Sequence, residues 1–313
     1  MKDDDVRALL HHAVDDVQPR GDRTEVLARL AADDEREGRR WLAPALTAAA
    51  AVALVVAGLG WLQHSTPPPR PAAVAAGHDL SLAVYYVGAT PVGPRLFSER
   101  HVLHGVVSSN AQAAFDQLLV RPDDPDYRSP FPAGTSAAVR VDGDTVTVDF
   151  PNDDLAAAPA GAAPGSGAPA AQALVWTLDD VLQRPVDVRF TAQGRPMTAL
   201  LGSRLDGPVS KGSADQVLSP VSVNLPEGAQ ITSGTTIRGQ AAAFEANVVW
   251  ELRQGSRVVE HGYTTAGQCC TLSPYAFVLQ APAGDYELVV HDSDPSGGEG
   301  PGPTTDTKTV EIR

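Results

Sequence analysis

The segment Leu42–Leu62 holds no charged residue and runs for about 20 positions, the length a helix needs to cross the hydrocarbon core of a bilayer. Any fold for this chain must place everything else on one side of that segment or the other. Pro44 falls in the first turn, where a missing N–H costs little. Trp41 and Trp61 bracket the segment as interfacial aromatics do. Arg36, Arg39 and Arg40 precede it, and Arg70 is the only nearby cation after it. Positive residues favour the cytoplasm. The expectation is a single-pass anchor at 41–62, with the N-terminus cytoplasmic and the C-terminal region extracytoplasmic. About forty residues come before the segment, which argues for an anchor rather than a cleaved leader.

The net charge is −14. The arm before Trp41 carries 8 Lys/Arg and 11 Asp/Glu, so −3 belongs to it and −11 to the remainder. A surface this acidic, with no basic patch, excludes nucleic acid as a partner and repels anionic wall polymers. The acidic arm, 1–40, has helical spacing in Val6, Leu10, Ala13 and Val17, a break at Pro19-Arg20-Gly21, and a second start at Asp22 with Glu25 as a capping box. Two short amphipathic helices cannot bury a core alone, so they are expected to pack on each other, on the membrane surface or on a cytosolic partner. His11 and His12 read as solvent-facing. Residues 63–79, with Pro67-Pro68-Pro69, read as an extended stalk.

The first outer domain is expected at 80–202. Leu82–Val87 reads as a buried strand. Ser109 and Gln112 form a capping box ahead of Ala114, Phe115, Leu118 and Leu119. Val139–Phe150 alternates on both arms around Asp142-Gly143, and a two-residue turn puts Val139, Val141, Val146, Val148 and Phe150 on one face. Ala156–Ala170 reads as a flexible loop. A second helix carries Leu174, Val175, Leu178, Val181 and Leu182 and stops before Pro185. Val186, Val188 and Phe190 form a last strand. The order predicts a small α/β layer with two helices on one face of a small sheet.

This segment resembles the GerMN domain of sporulation and spore-germination proteins. The likeness is carried by Val84-Tyr85-Tyr86, the Ala113–Leu119 helix, Pro132-Ala133-Gly134-Thr135, Val146-Thr147-Val148-Asp149, Leu174-Val175-Trp176-Thr177-Leu178 and Val186-Asp187-Val188-Arg189-Phe190 with Gly194. Arg121-Pro122 stands where the family often has Gly-Pro, and Pro151 where it often has Ser. The resemblance implies an extracytoplasmic binding or assembly module with no catalytic set, so no site residue carries over.

After a linker at 203–218, residues 219–313 show seven short apolar runs: Val221–Leu225, Thr236–Ala241, Ala246–Leu252, Arg257–Tyr263, Tyr275–Leu279, Tyr286–His291 and Thr307–Ile312. About seven strands in about 95 residues suit an immunoglobulin-like sandwich, with Trp250 as its core aromatic. The segment resembles the immunoglobulin-like domain of bacterial spore-germination proteins through Ile237-Arg238-Gly239, Phe244-Glu245-Ala246-Asn247-Val248, Trp250-Glu251-Leu252 and Gly284-Asp285-Tyr286-Glu287-Leu288. The predicted fold class is therefore α+β: a transmembrane helix, a small α/β GerMN-like domain and an all-β sandwich.

The chemical constellations are thin. Cys269 and Cys270 are adjacent, with Cα atoms about 3.8 Å apart, below the usual disulfide range; they read as two small loop residues, free or vicinally bonded. Asp292, Asp294, Ser296 and Gly297 imitate the start of a calcium loop, but Pro303 stands where the bidentate acid belongs. That run reads as a turn at the end of the sandwich. His101-x-x-His104 would put two imidazoles on one helical face without a third ligand nearby. Asp153-Asp154 and Asp179-Asp180 read as solvated acids at element ends. No nucleophile elbow, P-loop or His-Glu-x-x-His motif occurs. The expectation is a non-enzymatic envelope protein with no cofactor, no metal and no catalytic residue, docking an envelope-protein or cell-wall partner. Two alternatives are a transmembrane regulator whose arm binds a cytosolic factor such as a sigma factor, and an accessory that positions a cell-wall hydrolase.

Overall fold

The computed structural model describes residues 79–103, 109–160, 165–293 and 299–313. The arm, the Leu42–Leu62 span and the stalk up to residue 78 lie outside them, as do His104, Asp294, Ser296 and Gly297. Among the described residues no helix is long and apolar enough to cross a membrane. The described chain is mostly β with few helices, and its buried apolar residues fall into two separate clusters.

The first module opens with two eleven-residue strands, β1 (Leu80–Thr90) and β2 (Gly93–Leu103), paired antiparallel along their whole length. Helix α1 (Asn110–Leu118) follows, then a short β3 (Tyr127–Arg128) that pairs with the far end of β1. Strands β4 (Ala138–Asp142) and β5 (Thr145–Phe150) form the predicted hairpin. Asp142 faces Thr145 and Val139 faces Val148, the register of a two-residue turn, and Gly143 supplies the positive φ of 54° that turn needs. Helix α2 (Gly167–Leu182) crosses over to β6 (Asp187–Ala192), which runs parallel to β5. Such a parallel pair requires a crossover element. β7 (Arg195–Pro196), β8 (Ala199–Leu200) and β9 (Ser203–Arg204) complete the module.

Three expectations change here. The module has two principal sheets, β2-β1-β3 and β4-β5-β6-β7, rather than one small sheet carrying both helices on one face. Strand β2 is the missing piece. Only Leu96 and Phe97 are buried in it, so it offers no alternation to read. Helix α2 also starts earlier than the flexible loop allowed, at Gly167; Pro169 sits in its first turn, where proline is tolerated. Gly167 is there for contact: a Cβ on it would lie 1.7 Å from the Leu200 carbonyl oxygen.

The capping box forms by half. Ser109 Oγ accepts from the Gln112 amide at 3.4 Å. The Gln112 side chain does not reach back. Its Oε1 accepts from Val139 N at 2.8 Å and its Nε2 donates to the Ala137 carbonyl at 3.1 Å. A side-chain amide matches a strand's alternating donor and acceptor, so this residue fastens α1 to β4.

Helix α3 (Ala214–Val217) leads into the second module. Strands β10 (Val221–Val223), β11 (Ala229–Ile231), β12 (Thr235–Ala241), β13 (Asn247–Gln254), β14 (Arg257–Thr265), β15 (Ser273–Leu279), β16 (Gly284–Asp292) and β17 (Thr305–Ile312) form two sheets, β10-β12-β15 and β11-β17-β16-β13-β14. All seven apolar runs are strands. The eighth, β11, is three residues long and pairs parallel to β17. Trp250 is buried and stacks on Phe277 at a centroid distance of 4.6 Å. Its ring lies over Gly262, where a Cβ would come within 2.6 Å of the indole. Gly239 is likewise forced by packing, because a Cβ would sit 2.1 Å from the Ser222 carbonyl oxygen. The Tyr286 hydroxyl donates to the Pro282 carbonyl at 2.9 Å, in the manner of the tyrosine corner of immunoglobulin-like folds.

Candidate functional site

The most concentrated chemistry among the described residues lies where the two modules meet. The loop after α1 brings Asp124, Asp126 and Tyr127 against β17, which presents Asp306, Thr307 and Lys308. Tyr127 is fixed from behind by stacking on Phe97 at 4.6 Å. Lys308 is 4 % exposed and Asp124 is 1 % exposed. The Lys308 ammonium donates to Asp124 Oδ2, to the Tyr127 hydroxyl at 2.6 Å and to Asp306 Oδ1 at 3.2 Å. The Tyr127 hydroxyl donates to Asp306 Oδ1 at 2.5 Å, and Val223 N donates to Asp306 Oδ2 at 2.6 Å. Thr307 Oγ1 donates to Asp126 Oδ2.

Burial alone would pull the Lys308 ammonium below its ordinary pKa. The facing Asp306 and Asp124 outweigh that and hold it above. Burial, with Asp306 and Asp124 close by, pushes the Tyr127 hydroxyl far up, so it stays a donor. Sequence reasoning missed this cluster. Asp124 and Lys308 are 184 residues apart, and each read alone is an ordinary surface charge.

Glu99, His101 and Asp123 bring three potential ligand atoms within 4.8 Å of one another. His101 lies on strand β2, not on a helix, and His104 lies outside the described residues. The Glu99 carboxylate is already engaged, accepting from Asp123 N at 3.0 Å and Asp124 N at 2.9 Å, with His101 Nε2 at 3.2 Å. Burial raises its pKa, but these donors outweigh it and hold the carboxyl below its ordinary value. The arrangement anchors the loop that carries Asp124.

Asp179 and Asp180 are not free solvated acids. Asp180 Oδ2 accepts from Ala83 N at 2.8 Å, and Thr177 Oγ1 accepts from Tyr85 N at 3.0 Å. Together they close the part of the β1 edge that β3, paired only at Val87 and Gly88, leaves uncovered. Asp179 accepts from Val186 N at 3.0 Å and from Lys211 at 2.6 Å. Asp153 and Asp154 do lie exposed, at a short 3-10 turn. Asp292 Oδ1 accepts from Thr304 N at 2.7 Å, joining the ends of the β16–β17 connection.

Cys269 and Cys270 are joined as a vicinal disulfide in an exposed loop at one end of the sandwich. Cys270 N donates to the Ala243 carbonyl at 3.2 Å. That places the pair beside the Phe244-Glu245-Ala246 turn, where Glu245 and Ala246 take φ of 53° and 57° and Phe244 is half exposed. The most distinctive motif of the second module is thus an irregular turn at the head of β13.

The fold and its seam define an α+β module coupled to an immunoglobulin-like sandwich. Residues 220–299 match the family model of the immunoglobulin-like domain of bacterial spore germination. Among solved structures the chain is similar to the tandem GerMN domains of the sporulation protein GerM from Bacillus subtilis, at 15 % identity and a TM-score of 0.35. That match covers 65 % of this chain and 62 % of the GerM structure, so the chain spans about three fifths of it. It is also similar to WR4, a Caenorhabditis elegans MSP family member, at 14 % identity and a TM-score of 0.17, over 30 % of this chain and 96 % of WR4. At these TM-scores the structural likenesses carry no argument. No curated protein matches the chain.

Proposed function

We propose that the protein is a non-catalytic, membrane-anchored scaffold of the bacterial cell envelope, related to sporulation or germination, whose two outer modules dock an envelope-protein or cell-wall partner. The observation that carries this reading is the match of residues 220–299 to a spore-germination domain family, downstream of an uncharged apolar span with arginines on its N-terminal side. A lone span without ionisable residues offers no transport or proton-relay chemistry, so its role is that of a tether. The pronounced acidity of the outer region favours a protein or uncharged glycan partner over anionic wall polymers.

The test has two readouts. An alkaline phosphatase fusion after Gly77 is expected to be active; a stable but inactive fusion overturns the topology. The full chain in detergent micelles is expected to sediment with isolated peptidoglycan or to be crosslinked to an envelope protein in cells. Finding neither, with the phosphatase fusion active, removes the docking role and leaves only the anchor.

A further inference from the structure

We propose that the two modules are not beads on a flexible string but one rigid body, locked by the buried Asp124–Lys308–Asp306–Tyr127 cluster and by a connecting segment bound along its length to the first module.

The connecting segment is engaged almost residue by residue. Leu205 N donates to the Thr198 carbonyl at 2.9 Å. Val209 exchanges two backbone hydrogen bonds with Val188 on β6, at 2.8 and 2.9 Å. Gln172 on α2 clamps the next stretch, donating to the Ser210 carbonyl at 3.0 Å and accepting from Gly212 N at 2.8 Å. Lys211 pairs with Asp179 and lies 4.0 Å from the centroid of Trp176. Ser219 N donates to the Leu96 carbonyl at 2.9 Å, so the segment is still on β2 one residue before Pro220. A linker bound this way has none of the freedom of a polar Gly/Ser tether.

The cluster supplies the second attachment, far from the linker in sequence. It places the Lys308 ammonium between the Asp124 and Asp306 carboxyls, almost wholly out of solvent, where burial raises the Asp306 carboxyl above its ordinary value despite Lys308. Removing one partner from such a group leaves an uncompensated buried charge and is strongly destabilising. Opening the seam by small angles is therefore resisted, because intermediate positions lose the hydrogen bonds before water reaches the charges. Asp306 also accepts from Val223 on the opposite sheet of the sandwich, so the lock grips both sheets of the second module. A third tie joins Leu272 N to Asp215 Oδ1 at 2.8 Å, next to the disulfide loop. A partner therefore meets a fixed composite surface.

The test is the distance between nitroxide labels at Arg140→Cys and Arg257→Cys in the full chain in detergent micelles, with Cys269 and Cys270 replaced by serine in every sample. Both label sites are exposed. One narrow distance is expected, and it should be lost in Lys308→Ala while circular dichroism stays native-like. If Lys308→Ala unfolds, the neutral triple variant Lys308→Met, Asp124→Asn, Asp306→Asn leaves no buried charge unpaired, and it too should lose the narrow distance. A broad distribution in the reference protein, or an unchanged narrow one in whichever folded variant is measured, overturns the lock.

Discussion

The two modules bury their strands in different ways. Most strands of the sandwich turn one face inward. The burial of β12, β15 and β17 alternates residue by residue. The first module buries β1 far more completely, with runs of three buried residues on either side of Tyr85. Its uncovered edge is closed by side chains of a helix, Thr177 and Asp180, rather than by another strand. A half-buried strand writes its structure into an alternating sequence. A strand buried on both faces and sealed by side chains does not.

The difference implies where each module is most vulnerable. The sandwich should fail through its packed centre. Trp250→Ala removes the stack on Phe277 and leaves an empty volume over Gly262, a loss of about 3–5 kcal/mol for a buried aromatic. Urea unfolding of the full chain, followed by circular dichroism, is the measurement. A loss below about 1 kcal/mol would mean that the sheets close over the gap, and the view of a centre-held sandwich would fail.

Legibility follows local pattern in both modules: Leu82–Val87 is readable as a buried strand from its continuous apolar run. Seven strands of the second module were readable because each is a short apolar run bounded by turn residues, and the Asp142-Gly143 hairpin was readable because both its arms alternate around the turn. Strand β2 was not, because Arg95, Glu99 and His101 occupy half-buried positions where an apolar pattern would place hydrophobic residues. Asp180 looked like a solvated acid because nothing local reveals that a strand edge 97 residues earlier needs an acceptor. The seam was invisible on the same grounds: Asp124 and Lys308 meet only once both modules are folded. Pattern reports a residue's own face and leaves its distant partner unnamed.

The helix seal gives the second prediction. Thr177→Val keeps the shape of a fully buried side chain and removes the acceptor for Tyr85 N. An unsatisfied buried N–H costs about 1–3 kcal/mol. The same denaturation assay should show this loss, together with faster amide hydrogen exchange at Tyr85. Unchanged exchange there would show that the edge is closed without Thr177 and would erase the contrast between the modules.

The smallest expected effect concerns the end of β5. Asp149 Oδ1 accepts from Thr191 Oγ1 at 2.6 Å and from Gly194 N at 2.7 Å, tying β5 to the turn after β6. The hydrogen bond from Thr191, then that from Gly194, holds its carboxyl below the ordinary value of 3.8. A folded-state pKa below the unfolded one means stability that is present above 3.8 and lost as pH falls through the folded value. Asp149→Asn keeps an acceptor but not the charge, so it should cost no more than about 1 kcal/mol at neutral pH. The gap between the two proteins should shrink as the solution is acidified below about pH 4. A gap that stays constant down to about pH 3 would show that the oxygen position, not the ionised carboxylate, secures this turn. The first module would then be held there by shape, as the sandwich is.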